Sequence, residues 1–355
     1  MDLIKIKLKD LRTFCHSDLF NKFSIKPISL LRVESYLNNP HANSEDYCVY
    51  LFVENDELIT FRTILSDYVV VHGEKIPFGW CSGVYVKTEY SGQKLSVSLL
   101  NEVIKDWKNR LMFTNYAQAS EHCNLSTGSF KILQQRTGLR FYFYPDFNRI
   151  YKDRANYHQI KWILPLLSVV SCGMSRIYRL IHFWKKRHYT EMQSPDEECI
   201  KCLDNHPNTF FNRKAAEISW IIQYPWIMQS DGNDFSYPFS CRKKSYKLRV
   251  CKIFDKDRFA GFFIYTLIES QMKIIYSFVG KTDWNRMADV ARDIAGKNRI
   301  EYLTILDPEI ARFLKHEWGF FILSKQYTSN IYSSLHIENS DNKTIFDGDG
   351  DNCFT

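Results

Sequence analysis

The segment Val84-Tyr85-Val86-Lys87-Thr88-Glu89-Tyr90-Ser91-Gly92-Gln93-Lys94-Leu95-Ser96 holds the residues whose types and spacing point most directly to chemistry. A β-rich run ends, a short loop containing Gly92 follows, and an amphipathic helix begins. The free N–H groups of a helix start, with the helix dipole behind them, bind anions such as a pyrophosphate. Gly92 lets the backbone approach a ligand closely. Two other groupings suggest metals. Cys199 and Cys202 form a C-x-x-C pair with His206 shortly after, but a structural zinc needs four ligands and no second pair follows. Asp347, Asp349 and Asp351 alternate like the start of a calcium loop, yet Asn352 stands where such a loop requires Gly. No metal is expected at either place.

The elements that would position these residues can be read from pattern. The chain has 355 residues, 45% hydrophobic and 25% charged, which excludes wholesale disorder and suggests two domains or one large one. A formal charge of +7 is too weak to argue for nucleic acid. Ile4 to Leu8 alternates as a strand and does not resemble an export signal, so the ten Cys read as cytosolic thiols. Tyr47 to Phe52 and Leu58 to Leu65 flank a charged turn as a hairpin, and Gly79 to Val86 is a further strand. Leu95, Leu99 and Val103, with Leu100, Ile104 and Trp107, recur at helical spacing. Met112 to Ala117 reads as a strand, Asn124 to Gln135 as a helix ended by Gly138, and Leu139 to Tyr144 as a strand.

Residues 151–190 differ in character. Trp162 to Met174 is apolar or small, and Arg176, Arg179, Lys185, Lys186 and Arg187 follow. A packed helical hairpin and an interfacial membrane helix both fit this pattern. After 191–210, which reads as a linker, the chain reopens a core at Ile218 to Trp226. It then repeats the earlier order: a hairpin around Asp255 to Arg258, a strand at Met272 to Val279, and a helix from Asp283 to Ala295. A strand at Ile300 to Leu306 follows, then a helix capped by Asp307 and Pro308. The order strand–strand–strand–helix–strand–helix–strand therefore occurs twice. The expected organisation is a first domain over 1–150, a helical basic-apolar connector over 151–190, a second domain over 191–335 and a frayed acidic tail over 336–355.

With that order, Val84, Val86, Tyr90 and Gly92 resemble motif A of the GNAT acetyltransferase superfamily. Asn124 and Gly138-Leu139 resemble its motif B. The chain departs from motif A at Ser91, at Lys94 in place of the second Gly, and at Ser96 in place of the last Gly or Ala. The second half resembles a GNAT domain in element order only, without a legible pyrophosphate loop. The implied fold is α/β, with a mixed sheet in each of two tandem acyl-CoA N-acyltransferase (GNAT-like) domains joined by a helical segment.

The resemblance implies an N-acetyltransferase that moves an acetyl group from acetyl-CoA to a primary amine on a small or lipid-linked acceptor, such as an amino sugar or glycan precursor. Acetyl-CoA would lie between splayed parallel strands. Val84, Tyr85 and Val86 would orient the thioester, while Ser91, Gly92, Gln93, Lys94, Leu95 and Ser96 hold the pyrophosphate. Asn124 would meet the pantetheine arm. Glu121, His122 and Tyr116 are the acid–base candidates it leaves open. Cys81 and Cys123 offer thiol chemistry as a lesser option. A FemAB-like aminoacyl or peptidyl transferase and a non-catalytic binding protein are the alternatives. The expected location is cytoplasmic, with peripheral contact to the inner face of the membrane through 162–187.

Overall fold

A computed structural model describes residues 1–115, 117–181, 188–207, 209–232, 236–239, 241–337 and 344–354. The chain begins with β1 (Asp2–Lys7) and three short helices, α1 (Leu11–Cys15), α2 (Asp18–Lys22) and α3 (Leu30–Leu37). Then come β2 (Tyr47–Glu54), β3 (Glu57–Val71), β4 (Glu74–Val86), α4 (Leu95–Asp106), β5 (Leu111–Thr114), α5 (Gln118–Leu125) and β6 (Lys131–Tyr142). Helices α6 (Phe147–Tyr151), α7 (Tyr157–Ile160) and α8 (Leu164–Ile181) lead to β7 (Tyr189–Met192), α9 (Glu197–Asn205) and α10 (Ala215–Gln223). A short pair, β8 (Met228–Gln229) and β9 (Arg242–Lys243), precedes β10 (Tyr246–Asp255), β11 (Arg258–Ile268) and β12 (Gln271–Val279). The chain closes with α11 (Trp284–Lys297), β13 (Tyr302–Ile305), α12 (Pro308–Trp318) and β14 (Leu323–Ser333).

The expected repeat is present, as β2-β3-β4-α4-β5-α5-β6 and β10-β11-β12-α11-β13-α12-β14. Local chemistry explains its parts. Asn55 and Asp56 take φ of 52° and 61°, the twice-positive geometry of the tight turn that matches strand twist in a hairpin. Asp307 Oδ1 accepts the amides of Glu309 and Ile310 at 2.9 Å each, with Pro308 in the first turn of α12. Leu99, Leu100 and Val103 of α4 are fully buried, so the apolar stripe read from spacing is the face that meets Tyr50, Ile64 and Phe113.

The chain forms two compact units whose boundaries differ from those expected. Unit 1 comprises residues 1–135, 206–244 and 329–355, and unit 2 comprises 136–205 and 245–328. Unit 1 has strand order β1-β2-β3-β4-β5 followed by the end of β14 (329–333), and unit 2 has the end of β6 (136–142) followed by β13-β12-β11-β10-β7, while 131–135 of β6 stay with unit 1 and 323–328 of β14 with unit 2. The ends of the closing strands are exchanged. The last strand of the first repeat, β6, runs antiparallel to β13, while β14, the last strand of the second repeat, runs antiparallel to β5.

Three readings of local structure change. Residues 131–142 form β6, where a helix was expected over Asn124–Gln135. A Cβ on Gly138 would sit 1.9 Å from the Ile305 carbonyl oxygen, so the glycine allows β6 to close on β13. Asn124 consequently lies near the end of α5 and does not start a helix. The segment 191–210 contains α9 and the end of edge strand β7. The acidic tail is packed over its described part: Ile345, Phe346, Asp347, Asp349, Asp351, Cys353 and Phe354 are buried. Phe354 stacks on Trp226 at 4.5 Å and meets Trp220 edge-on, which explains why an acidic composition does not leave it frayed.

Candidate active site

Strands β4 and β5 run parallel, and they pair only at Gly79–Leu111 and Trp80–Met112. Beyond that point they part. The partner strand β3 is paired with β4 on its other side, with a bulge that leaves Ser82 between the Thr63–Gly83 and Ile64–Cys81 partners. Bulges of this kind turn the strand and re-aim its side chains. Alternate amides of 81–86 thus face a gap with no strand across it. A cavity of about 240 Å³ occupies this gap within unit 1. Cys81, Ser82, Gly83 and Val84 line one side; Thr114, Ala117 and Ser120 line the other; Trp226, Tyr237 and Phe239 cover it.

Three charged side chains complete the wall: Arg32, Arg62 and Asp351. Arg62 is 1% exposed. Its guanidinium donates to the Ser96 carbonyl and hydroxyl, both at 3.0 Å, and to Asn124 Oδ1 at 2.9 Å. It therefore ties the first turn of α4 to the last turn of α5. Arg32 donates to Tyr237 Oη at 2.7 Å and to the Ser82 carbonyl at 2.8 Å, and lies 3.7 Å above the Trp226 ring. Its Nε is buried with no hydrogen-bond partner. Asp351 is the acid of the lining, and its Oδ1 accepts from Thr114 Oγ1 at 3.1 Å.

The loop before α4 has the geometry of an anion cradle. Ser91, Gly92, Gln93 and Lys94 are exposed. Gly92 has φ +83° and Lys94 φ +58°, so the lysine holds the left-handed conformation for which glycine is suited. The Lys94 carbonyl accepts from Val97 and Ser98, and no side chain caps the helix. The amides of Leu95 and Ser96 are left without a partner in the helix. A phosphate carried there would meet those amides and the dipole of α4.

The other sequence candidates fall as follows. Val84 lines the cavity, while Tyr85 stacks on Phe61 at 5.6 Å. Val86 is half-buried at the end of β4. Asn124 is buried and engaged by Arg62, away from the lining. Glu121 accepts a hydrogen bond from Tyr332 Oη, His122 is exposed on α5, and neither lines the cavity. Tyr116 lies outside the described residues. Burial pushes the Cys81 thiol up to about 12, so it stays a thiol at neutral pH. Cys123 accepts from Arg62 at 3.2 Å as part of the same packing. The Cys199 thiol is likewise pushed by burial to about 12, and no cluster of three metal-binding side chains occurs among the described residues. Sequence reasoning missed Arg32, Arg62 and Asp351.

No protein-family model and no curated protein matches the sequence. Solved structures do. N-myristoyltransferase of Saccharomyces cerevisiae with bound myristoyl-CoA is similar with a TM-score of 0.50 and 9% identity, covering 97% of this chain and 86% of its own. A GCN5-related N-acetyltransferase from Anabaena variabilis has a TM-score of 0.49 at 11% identity, covering 93% of this chain and 72% of its own. One from Kribbella flavida has a TM-score of 0.47 at 12% identity, with coverage of 93% and 71%. The myristoyltransferase likeness shows a GNAT fold.

Proposed function

We propose that unit 1 is an acyl-CoA-dependent N-acyltransferase that transfers acetyl from acetyl-CoA to a primary amine. The observation that carries this reading is the cavity at the parting of β4 and β5, with a carboxylate in its wall and an uncapped helix start in the same unit. The Leu95 and Ser96 amides and Lys94 would hold the pyrophosphate, with Gly92 allowing its approach. Alternate β4 amides would orient the thioester carbonyl. The acceptor nitrogen attacks the carbonyl carbon, and the oxygen takes up negative charge facing those amides. Asp351 removes the proton from the nitrogen. The C–S bond then breaks, and the proton passes to the departing CoA thiolate.

A thermal melt with acetyl-CoA, CoA and NAD tests this. A ligand at about 100 times its Kd adds roughly 2.7 kcal/mol to the apparent stability. Acetyl-CoA and CoA are expected to raise the melting temperature, and NAD to leave it unchanged. Gly92→Val forces a branched residue to positive φ, costing about 1–2 kcal/mol, and should abolish the acetyl-CoA shift while the protein still melts cooperatively. Absence of any shift at millimolar acetyl-CoA would end the acyltransferase reading.

The same proposal extends to location, at the cytoplasmic face of an anionic membrane. Trp162, Leu166, Val169, Val170, Ile177, Leu180 and Ile181 are 47–77% exposed, whereas the inward residues of α8 are Leu164, Ser171, Ser175 and Tyr178. Two of those four are serines, and most of the large apolar side chains of the helix face outward. From Arg154 through Thr190 the sequence has seven Lys and Arg, Arg154 included, and no Asp or Glu. Each cation near an anionic surface adds about 1 kcal/mol. The 18 residues of α8 span about 27 Å, but with one face packed inside unit 2 the helix lies along a bilayer and does not cross it. That position favours a lipid-linked amine as acceptor. Vesicles containing phosphatidylglycerol should sediment the protein, and phosphatidylcholine vesicles should do so at least tenfold less. Leu166→Glu with Leu180→Glu should prevent sedimentation without lowering the melting temperature. Equal recovery on both vesicle types, or unchanged binding of the double variant, would refute the membrane contact.

A further inference from the structure

Unit 2 has its own cavity, of about 400 Å³, which acyl transfer in unit 1 does not use. Its lining is basic and aromatic. Four cations face it, Arg140, Arg149, Arg154 and Lys325, against a single acid, Glu301. Arg149 pairs with Glu301 and also donates to Ser270 Oγ at 2.9 Å, so that carboxylate is taken. Arg140, Arg154 and Lys325 make no ion pair among the described residues.

Arg140 is the least expected of the three. It projects from β6 and lies 5.0 Å from the Tyr302 ring and 4.0 Å from the Tyr327 ring. Its Nε is buried without a hydrogen-bond partner. A half-buried guanidinium set against two aromatic rings has its direction restricted, with its fork free to donate to an anion. Three uncompensated cations around one concavity repel one another, and a polyanion removes that repulsion while using the arginine forks in bidentate contacts. Burial raises the Tyr142 and Tyr302 hydroxyls above their ordinary range, so the aromatic wall stays neutral and does not oppose an anion.

We propose that this cavity binds a pyrophosphate-bearing ligand, with Arg140, Arg154 and Lys325 on the phosphates and the tyrosine rings against the attached group. Two sources carry this chemistry: a soluble nucleoside diphosphate, whose ring would stack on the tyrosines, and a lipid pyrophosphate at a membrane. The fold makes the second source accessible. Helix α6, which supplies Arg149 and Tyr151 to the cavity, is fixed to α8 by the Phe147 amide donating to Ser168 Oγ at 2.9 Å.

Calorimetric titration of the full-length protein with phosphate, pyrophosphate, UDP and farnesyl pyrophosphate tests the site. Pyrophosphate should bind at least tenfold more tightly than phosphate, and added salt should weaken it. Arg140→Gln and Arg154→Gln should each reduce pyrophosphate affinity about tenfold while the melting shift with acetyl-CoA persists. Arg154 is exposed, so its variant folds even where Arg140→Gln does not. Tighter binding of UDP than of pyrophosphate would identify a nucleotide ligand, and tighter farnesyl pyrophosphate a lipid one; either supports the site. Failure of every pyrophosphate probe to bind, or full affinity in the double variant, would overturn it. Because the acetyl-CoA readout belongs to unit 1, loss of one activity does not imply loss of the other.

Discussion

Replacing Arg213 with Met is expected to destabilise the protein by about 3–5 kcal/mol, the cost of stranding buried charges. Arg213 lies between two carboxylates in unit 1, and its side chain is 2% exposed. Its Nη1 and Nη2 grip Asp67 at 3.0 and 2.7 Å, and its Nε donates to Asp349 at 2.9 Å. The Trp80 indole donates to Asp67 at 2.8 Å, and the Phe346 amide donates to Asp349 at 2.7 Å. Asp349 is fully buried, and that burial pushes its carboxyl above the usual range while Arg213 opposes the shift. Without the guanidinium, two carboxylates face each other with no cation between them. The melting temperature should fall by roughly 4–7 °C, at about 1.3 °C per kcal/mol for 355 residues unfolding together with an entropy of about 2.1 cal/mol/K per residue. Neutralising both partners as well, with Asp67→Asn and Asp349→Asn, should recover part of the loss. A single variant melting within about 2 °C of the wild type would show that the triad contributes little.

The second large effect is on catalysis. Asp351→Asn keeps the size of the side chain and an oxygen for Thr114, and removes the negative charge and with it the ability to take a proton. Loss of a general base typically lowers the rate about 10²–10⁴-fold. The fall should appear in kcat, measured as thiol release from acetyl-CoA with a panel of primary amines. The KM for acetyl-CoA should stay within about twofold, because the cradle at α4 is distant in the chain and untouched. Raising the pH should restore part of the rate, since more of the amine then arrives already deprotonated. A kcat within about threefold of wild type would move the base elsewhere, with Glu121 the next carboxylate to substitute.

What could be read in the sequence was what short-range pattern specifies. The β2–β3 hairpin is written in Asn55-Asp56, α12 in Asp307-Pro308, the buried face of α4 in Leu99 and Val103, and the duplicated order in their succession. The exposed loop at Ser91 to Lys94 followed from Gly92 and the helix after it. What could not be read depended on partners far along the chain. Residues 131–142 include Leu133, Gln134, Gln135 and Arg136, all good helix formers, and their place in strand β6, which joins β13 only at 139–142, overrides that preference. Nothing near Ile331 indicates that it will face Thr114. Arg62 and Asp67 did leave a signal. They are the charged residues between Leu58 and Val71, an otherwise apolar or hydroxyl-bearing run, and a buried charge must have a partner. The partners of Asp67, Arg213 and Asp349, lie too far away in sequence for spacing to reveal. Asp351 was dismissed with its neighbours as a broken calcium loop, because an acidic stretch looks solvated until Phe346 and Phe354 are seen packed beside it.

The exchange of β6 and β14 also bears on how such a chain can evolve. A duplicated domain is ordinarily free to lose, swap or fuse either copy, since each copy carries its own sheet. Here each repeat ends in a strand whose second part pairs in the other unit. Deleting the second repeat would remove β14 and the Asp349 and Asp351 segment from unit 1, along with unit 2. Deleting the first would take β6 away from β13. Neither copy is then a transferable module, and one copy can lose a working phosphate loop while its strand is still retained by selection on the other. The divergence of the second repeat is what such interdependence permits, and recombination that shuffles these halves separately should yield insoluble chains.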